Sequence, residues 1–112
     1  MNYLTKSCLT VLSVLFLTTS AANAADAENG RKLARQCSVC HGKFGVSPGD
    51  PEVPNLVGQS SFYLEKSLKD YRSGAREDRR MTLLAKNLSD DDIKDLSAWF
   101  ESIKITVIEP EL

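Results

Sequence analysis

Two cysteines and a histidine lie within five residues of one another, in the stretch QCSVCHG. Two residues separate Cys37 from Cys40, and His41 follows the second cysteine directly. Thiol and imidazole side chains at such short spacing can bind a metal ion, exchange disulfides or hold a covalently attached cofactor. The remainder of the chain favours one of these chemistries over the others.

Three of the alternatives fit this chain poorly. A structural zinc site needs four ligands, and Cys37, Cys40 and His41 are too close in sequence for all three to reach one tetrahedral ion. A thioredoxin-like dithiol begins a helix that follows a strand, whereas this pair falls at the end of a predicted helix with no strand pattern around it. A disulfide across two residues would be strained and would close too short a loop to stabilise the fold much.

The pattern C-x-x-C-H is instead typical of covalent haem attachment. Each thiol adds to one vinyl group of haem to form a thioether, and the two intervening residues match the separation of the vinyl groups. The histidine that follows then lies below the ring and ligates the iron. We therefore predict one haem c per chain, attached at Cys37 and Cys40, with His41 as an axial ligand of the iron.

Few residues are available as the second axial ligand. The chain contains one histidine, and Met81 is its one methionine besides the initiator. A thioether is a soft, neutral ligand that favours reduced iron, so histidine and methionine together raise the reduction potential. A lone methionine is otherwise core filler, and the sixth position would then be open to external ligands. We predict that Met81 is the second axial ligand.

The first 24 residues have the pattern of a signal peptide. Lys6 precedes the apolar run CLTVLSVLFL, and small residues lead to ANA, which predicts cleavage after Ala24. The apolar run is too short to span a bilayer as a helix of the mature protein. We expect export to the periplasm, where disulfides are permitted, and a single domain over residues 25–112.

The charge balance excludes one class of partner. The chain has 14 lysines and arginines against 15 acidic residues, a formal net charge of −1 at pH 7. A strongly basic nucleic-acid-binding protein is therefore excluded.

Hydrophobic periodicity predicts an all-α fold of three or four helices. Three stretches show the helical period and begin with residues that favour an N-cap: residues 26–40, 60–74 and 89–103. The expected N-caps are Asp26, Ser60 or Ser61, and Ser89, and a short turn or helix is expected over residues 81–88. Glycines and prolines predict a long loop over residues 42–59, which a bound cofactor would support.

With these features the chain resembles the class I cytochromes c, in particular the small bacterial monohaem cytochromes and one half of the dihaem cytochrome c4 group. The matching segments follow one another over nearly all of residues 25–112: NGRKLARQCSVCHG, PNLVGQ, YLEKSLKDYRSGARED, RRM and LSDDDIKDLSAWFESI. The resemblance implies three to four helices wrapped round one covalently bound haem. One departure is the pair of arginines directly before Met81.

The resemblance also implies several contacts. The first and last helices should cross beside the haem, with Gly30 against Trp99 or Leu96. The carbonyl of Pro54 should accept a hydrogen bond from the ring nitrogen of His41 that does not face the iron. A haem propionate is expected to meet one of three polar residues: Tyr71, Arg72 or Arg76.

Two further groups of residues are expected around the haem. An apolar shell should keep most of the ring dry: Phe44, Leu56, Val57, Tyr63, Leu68, Leu83, Leu84 and Phe100. Five basic residues are expected either to form a rim that faces protein partners or to be charges scattered over the surface: Lys43, Lys66, Lys69, Arg79 and Arg80.

The expected function is that of a periplasmic electron carrier, a monomer or weak dimer that docks with redox protein partners. The haem subunit of a larger periplasmic dehydrogenase, for example of the flavocytochrome type, is the alternative. A ligand-binding or peroxidase-like haem protein is a third hypothesis, in which Met81 is not a ligand.

Overall fold

The computed structural model describes residues 24–111. Within this range the chain forms four α-helices and one short 3-10 turn. The helices are α1 (Ala27–His41), α2 (Ser61–Ser73), α3 (Arg79–Ala85) and α4 (Asp90–Ser102), and the turn, Lys43–Gly45, follows α1. The predicted all-α fold is thus confirmed. The predicted signal peptide lies outside the described residues except for Ala24.

Helices α1, α2 and α4 begin where the sequence places their N-caps. The Asp26 carboxylate accepts hydrogen bonds from two backbone N–H groups in the first turn of α1, and Ser60, not Ser61, caps α2. Ser89 and Asp92 form a reciprocal capping box at the start of α4. These side chains satisfy N–H groups that have no partner within the helix, which is why the predicted and observed bounds agree closely.

Helices α1 and α4 cross at Gly30. A Cβ atom built on Gly30 would lie 1.9 Å from the backbone oxygen of Asp95 and 3.0 Å from the backbone nitrogen of Leu96. Only a glycine lets the two backbones approach so closely. The expected close approach is present, but its contact is the backbone of Asp95 and Leu96, and Trp99 is not among the nearest neighbours.

The buried carboxylate of Asp95 joins the same two helices. Its two oxygens accept hydrogen bonds from the backbone N–H of Asp26, at 2.7 Å, and from the side-chain amide of Asn29, at 2.8 Å. The carboxylate therefore lies at the positively polarised N-terminus of α1. A buried charge is costly unless it is paired or hydrogen-bonded, and here both oxygens have a donor.

The core is small and lies between α1, α2 and α4. Its buried members are Ala34, Leu64, Leu96 and Phe100, and Cys37, Leu56 and Leu68 pack against them. Small domains bury a modest fraction of their surface and often depend on a cofactor or cross-link. None of the helices in the described range is long and apolar enough to be a membrane span.

Candidate functional site

A cleft lined mainly by apolar side chains opens beside this core. Every helix contributes to its walls, as does the loop between α1 and α2. The lining includes Cys37, Cys40 and His41 from α1, Pro54 and Leu56 from the loop, Leu68 and Tyr71 from α2, Met81 and Leu84 from α3, and Phe100 from α4. All four residues predicted to attach haem or ligate iron thus lie around one cavity.

The two cysteines occupy one face of the last turns of α1. Residues three apart on a helix are neighbours on its surface, so Cys37 and Cys40 are presented to the cleft together. Cys37 is partly buried against the core, and Cys40 is exposed. Burial raises the pKa of the Cys37 thiol to about 11. That thiol is therefore a weak nucleophile in the folded chain at neutral pH.

His41 is the last residue of α1, and its ring is buried, with 7% of the residue exposed. Its Nδ1 atom lies 2.8 Å from the carbonyl oxygen of Pro54. Because a carbonyl can only accept, Nδ1 carries the proton and donates this hydrogen bond. The lone pair is then on Nε2, the nitrogen through which a neutral imidazole would bind a metal. The hydrogen bond that the resemblance implies is present in the structure.

Met81 reaches the cleft from the first turn of α3. The backbone N–H groups of Arg80 and Met81 both donate to the carboxylate of Asp78, at 2.9 Å each. These bonds, first that of Met81 and then that of Arg80, lower the pKa of Asp78. The backbone N–H of Asp78 in turn donates to the Thr82 hydroxyl at 3.2 Å. The turn that presents Met81 is therefore held by a side chain at each end.

The sequence interpretation did not identify Asp78. A signal for it was available, because an aspartate that precedes a short amphipathic segment by one residue is a common N-cap. The sequence predicts that this segment begins at Met81 and that the charged residues before it form a connection. The helix in fact begins at Arg79.

The three candidate propionate contacts are placed differently. The Arg72 guanidinium donates to the Leu88 carbonyl oxygen, at 2.9 Å, and to the Asp90 carboxylate. It thereby joins α2 to the start of α4 and is not among the residues of the cleft. The Arg76 guanidinium lies over the Tyr71 ring, 4.7 Å from its centroid, and both residues line the cleft. Tyr71 and Arg76 therefore form its polar edge.

Five of the eight residues predicted for the apolar shell line the cleft: Leu56, Tyr63, Leu68, Leu84 and Phe100. Phe44, Val57 and Leu83 do not. Leu83 is 67% exposed because Met81, Leu84 and Ala85 share the cleft side of α3 and Leu83 lies on the other side. Phe44 is half exposed, with the Lys43 ammonium 5.1 Å from its ring centroid.

The residues predicted for the basic rim lie in different places on the surface. Arg80 lines the cleft and its guanidinium lies 3.8 Å from the Glu52 carboxylate, across from the loop that holds Pro54. Lys66 and Lys69 pair with acidic residues one turn away on α2. Arg79 lines a separate surface groove. The direction in which each side chain leaves its helix scatters these charges, and the composition alone does not show that direction.

Comparison with known proteins agrees with this geometry. The family model for cytochrome c matches residues 27–104. Cytochrome c4 of Pseudomonas aeruginosa is 42% identical over 102 residues, covering 91% of this chain and 50% of the relative. Cytochrome c-554(548) of Halomonas halodenitrificans is 44% identical over 82 residues, covering 70% of this chain and 98% of the relative.

One solved structure, and one relative whose name states a function, are also similar to this chain. The crystal structure of reduced recombinant cytochrome c4 from Pseudomonas stutzeri matches with a TM-score of 0.68 and 39% identity, covering 75% of this chain and 48% of that chain. A thiosulfate dehydrogenase electron acceptor from Stutzerimonas stutzeri is 32% identical, covering 70% of this chain and 41% of the relative. The chain spans about half the length of the cytochrome c4 relatives.

The fold and the cleft define a class I haem cytochrome. The residues present fit the group: two thiols on one helix face, an imidazole whose Nε2 carries the lone pair, and walls that are mainly apolar. The chain belongs to the cytochrome c family, whose members transfer electrons through haem, and it carries covalently bound haem c.

Proposed function

We propose that this chain is a periplasmic single-electron carrier in which His41 and Met81 are the axial ligands of the haem iron. One observation carries the proposal: the chain's single histidine and its single internal methionine line the same cleft. They reach it from different helices, α1 and α3. Residues 1–24 are proposed to be the signal peptide that directs export, and residues 25–112 the functional domain.

Each side chain of the cleft has a distinct task in this proposal. Cys37 and Cys40 hold the haem covalently, and His41 is kept in one orientation and tautomer by the Pro54 carbonyl. The Met81 thioether, a soft and neutral donor, favours the reduced state. The bound haem supplies the chemistry, a one-electron change between ferrous and ferric iron.

The apolar walls tune the same equilibrium. Oxidation adds a positive charge to the site, and a charge is less stable in apolar surroundings than in water. Leu56, Leu68 and Phe100 therefore favour the reduced state together with Met81. Their second task is to exclude water from most of the group while its edge stays near the surface.

The polar edge of the cleft is proposed to receive the haem propionates. Arg76 is held over the ring of Tyr71, so a cation and a hydroxyl are presented together. A guanidinium forms strong, charge-assisted hydrogen bonds to a carboxylate. Arg72 has its donors engaged by Leu88 and Asp90, and we therefore assign this role to Arg76 in its place.

A second candidate function is supported by one relative. The relative named as a thiosulfate dehydrogenase electron acceptor supports a role for this chain as a stable subunit of one dehydrogenase. The haem chemistry would be unchanged and the partner would be permanent. Gel filtration of a native periplasmic extract separates the two, since a subunit elutes with a dehydrogenase and a free carrier elutes as a small protein.

The proposal is tested on the exported protein. Its mass should equal residues 25–112 plus one haem, and its reduced-minus-oxidised spectrum should show a single low-spin c-type haem. Carbon monoxide should not bind the reduced protein readily, because Met81 occupies the sixth position. Rapid carbon monoxide binding by the unmodified protein would reject Met81 as a ligand and favour a ligand-binding or peroxidase-like haem protein.

A further inference from the structure

The carbonyl of Pro54 has to be held in place by its neighbours. Residues 46–60 form no helix or strand, yet they present the oxygen that receives the Nδ1 proton of His41. Proline has no backbone N–H of its own with which to anchor this position. The position of the carbonyl therefore depends on hydrogen bonds made by the residues around it.

Three hydrogen bonds connect the residues that follow Pro54 to the chain that follows α1. The backbone N–H groups of Leu56 and Val57 both donate to the carbonyl oxygen of Gly45, at 2.8 Å and 3.3 Å. The backbone N–H of Ser47 donates to the side-chain oxygen of Asn55 at 2.7 Å. The two backbone bonds are available to almost any sequence, whereas the third requires a side-chain acceptor on the residue next to Pro54.

The Gly45 contact fixes one side of this arrangement. Gly45 is buried with φ +76°, and a Cβ atom there would lie 2.9 Å from the Cβ atom of Leu56. The two chain segments are therefore in direct contact at this point. The bond from Ser47 to Asn55 is a further link between the two segments, and it is made by the residue next to Pro54.

We propose that Asn55 is a positioning residue for His41. Its side-chain oxygen holds the Ser47 N–H, and this bond sets the position of the Pro54 carbonyl and through it the orientation of the imidazole. Asn55 makes no hydrogen bond to His41 itself, whose Nδ1 bonds to Pro54. The inference rests on the proposed function, in which His41 ligates the haem iron.

The proposed role has an electronic consequence. A hydrogen bond from Nδ1 to a carbonyl makes the imidazole a stronger donor through Nε2. A stronger donor stabilises the oxidised state more than the reduced state, because the oxidised iron carries the greater charge. Loss of the Asn55 acceptor should therefore weaken the bond from His41 and raise the reduction potential.

The contribution of the bond to stability should be small by comparison. Asn55 is exposed, so water can replace either partner when the bond is broken. The net free energy of an exposed hydrogen bond is modest for this reason. A structural role and a positioning role thus predict different observations.

The test uses the haem-loaded protein and the Asn55→Ala variant. NMR of the reduced protein gives the hydrogen-exchange rate of the His41 Nδ1 proton, and voltammetry gives the potential. We expect the His41 Nδ1 proton to exchange about tenfold faster in the variant than in the unmodified protein. This factor corresponds to the loss of one ordinary hydrogen bond. We also expect a higher potential and a nearly unchanged thermal midpoint.

Three further variants sharpen the test. Ser47→Ala retains the backbone N–H and should exchange like the unmodified protein. Ser47→Pro removes that N–H and should reproduce the Asn55→Ala result. The backbone tolerates this change, because the preceding residue, Val46, is already extended with φ −93° and ψ 106°, as a residue before proline must be. Asn55→Asp keeps an acceptor oxygen and should restore slow exchange. The added negative charge of this variant changes the potential by itself, so the exchange rate is the measure of rescue.

The outcomes separate this inference from the proposed function. Unchanged exchange and potential in Asn55→Ala and Ser47→Pro, with an intact low-spin spectrum, would overturn the role of Asn55 and leave the proposed function standing. A lower thermal midpoint without faster exchange would assign Asn55 a merely structural role and would also overturn it. An unmodified protein without a histidine-ligated spectrum would overturn the proposed function itself. If Asn55→Ala does not accumulate, Ser47→Pro and Asn55→Asp decide by the same exchange measurement.

Discussion

The backbone N–H of Asp26 donates a 2.7 Å hydrogen bond to the buried carboxylate of Asp95, which joins the start of α1 to the middle of α4. The second carboxylate oxygen is held by the Asn29 amide. Asp26 itself caps α1 with its side chain. Asp26 thus supplies both the cap of α1 and a backbone donor to the contact between the two helices. Asp95 supplies the buried acceptor.

Replacement of Asp95 by asparagine should destabilise the protein by about 2–3 kcal/mol. The amide can offer an acceptor to only one of the two donors, and its own N–H₂ group then faces the other. Hydrogen bonds to charged groups contribute about 1.5–3 kcal/mol, and a buried donor left without a partner adds to the loss. Urea denaturation of the haem-loaded variant at neutral pH measures the change.

The matched control is Asp91→Asn, on the same helix. Asp91 is exposed and lies 3.8 Å from the Lys94 ammonium, and such surface pairs contribute little. Its loss should change the unfolding free energy by less than about 1 kcal/mol. Equal effects from the two variants would show that the Asp95 contacts have no special importance.

Substitution of Gly30 by alanine should also destabilise the protein, although helix propensity predicts the opposite. Alanine is favoured over glycine in a helix by about 1 kcal/mol. The new methyl group would lie 1.9 Å from the Asp95 carbonyl oxygen, so the helices must separate. Such overpacking typically costs about 1–3 kcal/mol. A denaturation midpoint at or above that of the unmodified protein would contradict the close crossing.

The sequence identified the parts of the fold that depend on local chemistry. Asp26, Ser60 and Ser89 cap helices because their short side chains reach nearby N–H groups, and this is visible in a few consecutive residues. The haem attachment motif is equally local. Each of these features could be predicted without knowledge of the rest of the chain.

The features that the sequence did not determine depend on the phase of a helix or on the reach of a long side chain. Helix α3 has only two turns, too few for its pattern to show that Leu84 faces the cleft while Leu83 faces solvent. Arg72 and Arg76 are four residues apart, yet one joins two helices and the other lines the cleft. Only tertiary contacts distinguish such side chains.

The capping box of α4 should contribute a pH-dependent part of the stability. Hydrogen bonds from the Ser89 side chain and then from its backbone lower the pKa of Asp92. A carboxyl group whose pKa is lower in the folded state stabilises the fold above the unfolded pKa, about 3.9. This stabilisation is lost as the pH falls through the folded pKa.

The Asp92→Ala variant isolates this contribution. Between pH 5 and 7 the variant should be less stable than the unmodified protein by a constant amount, because this range lies above the reference pKa of about 3.9. The difference in unfolding free energy should shrink as the pH falls below about 4. Other carboxyl groups affect both proteins equally, so the difference reports Asp92 alone. A gap that stays constant down to pH 2 would contradict the assignment.

Replacement of Met81 by alanine should leave the haem attached and change its properties. The attachment depends on Cys37 and Cys40, which lie on another helix. In the proposed function the Met81 thioether is the ligand that favours reduced iron, so its removal should lower the potential. The opened position should also let carbon monoxide bind the reduced protein. Optical titration and voltammetry of the exported variant measure both effects.

Leu83→Ala provides the control for Met81→Ala, because Leu83 belongs to the same short helix but is 67% exposed. A similar loss of helical side-chain volume there should leave the potential and the response to carbon monoxide unchanged. If both variants admit carbon monoxide, the opening reflects a loosened α3 and not a lost ligand. If neither does, and the potential of Met81→Ala equals that of the unmodified protein, Met81 is only a packing residue of the cleft wall.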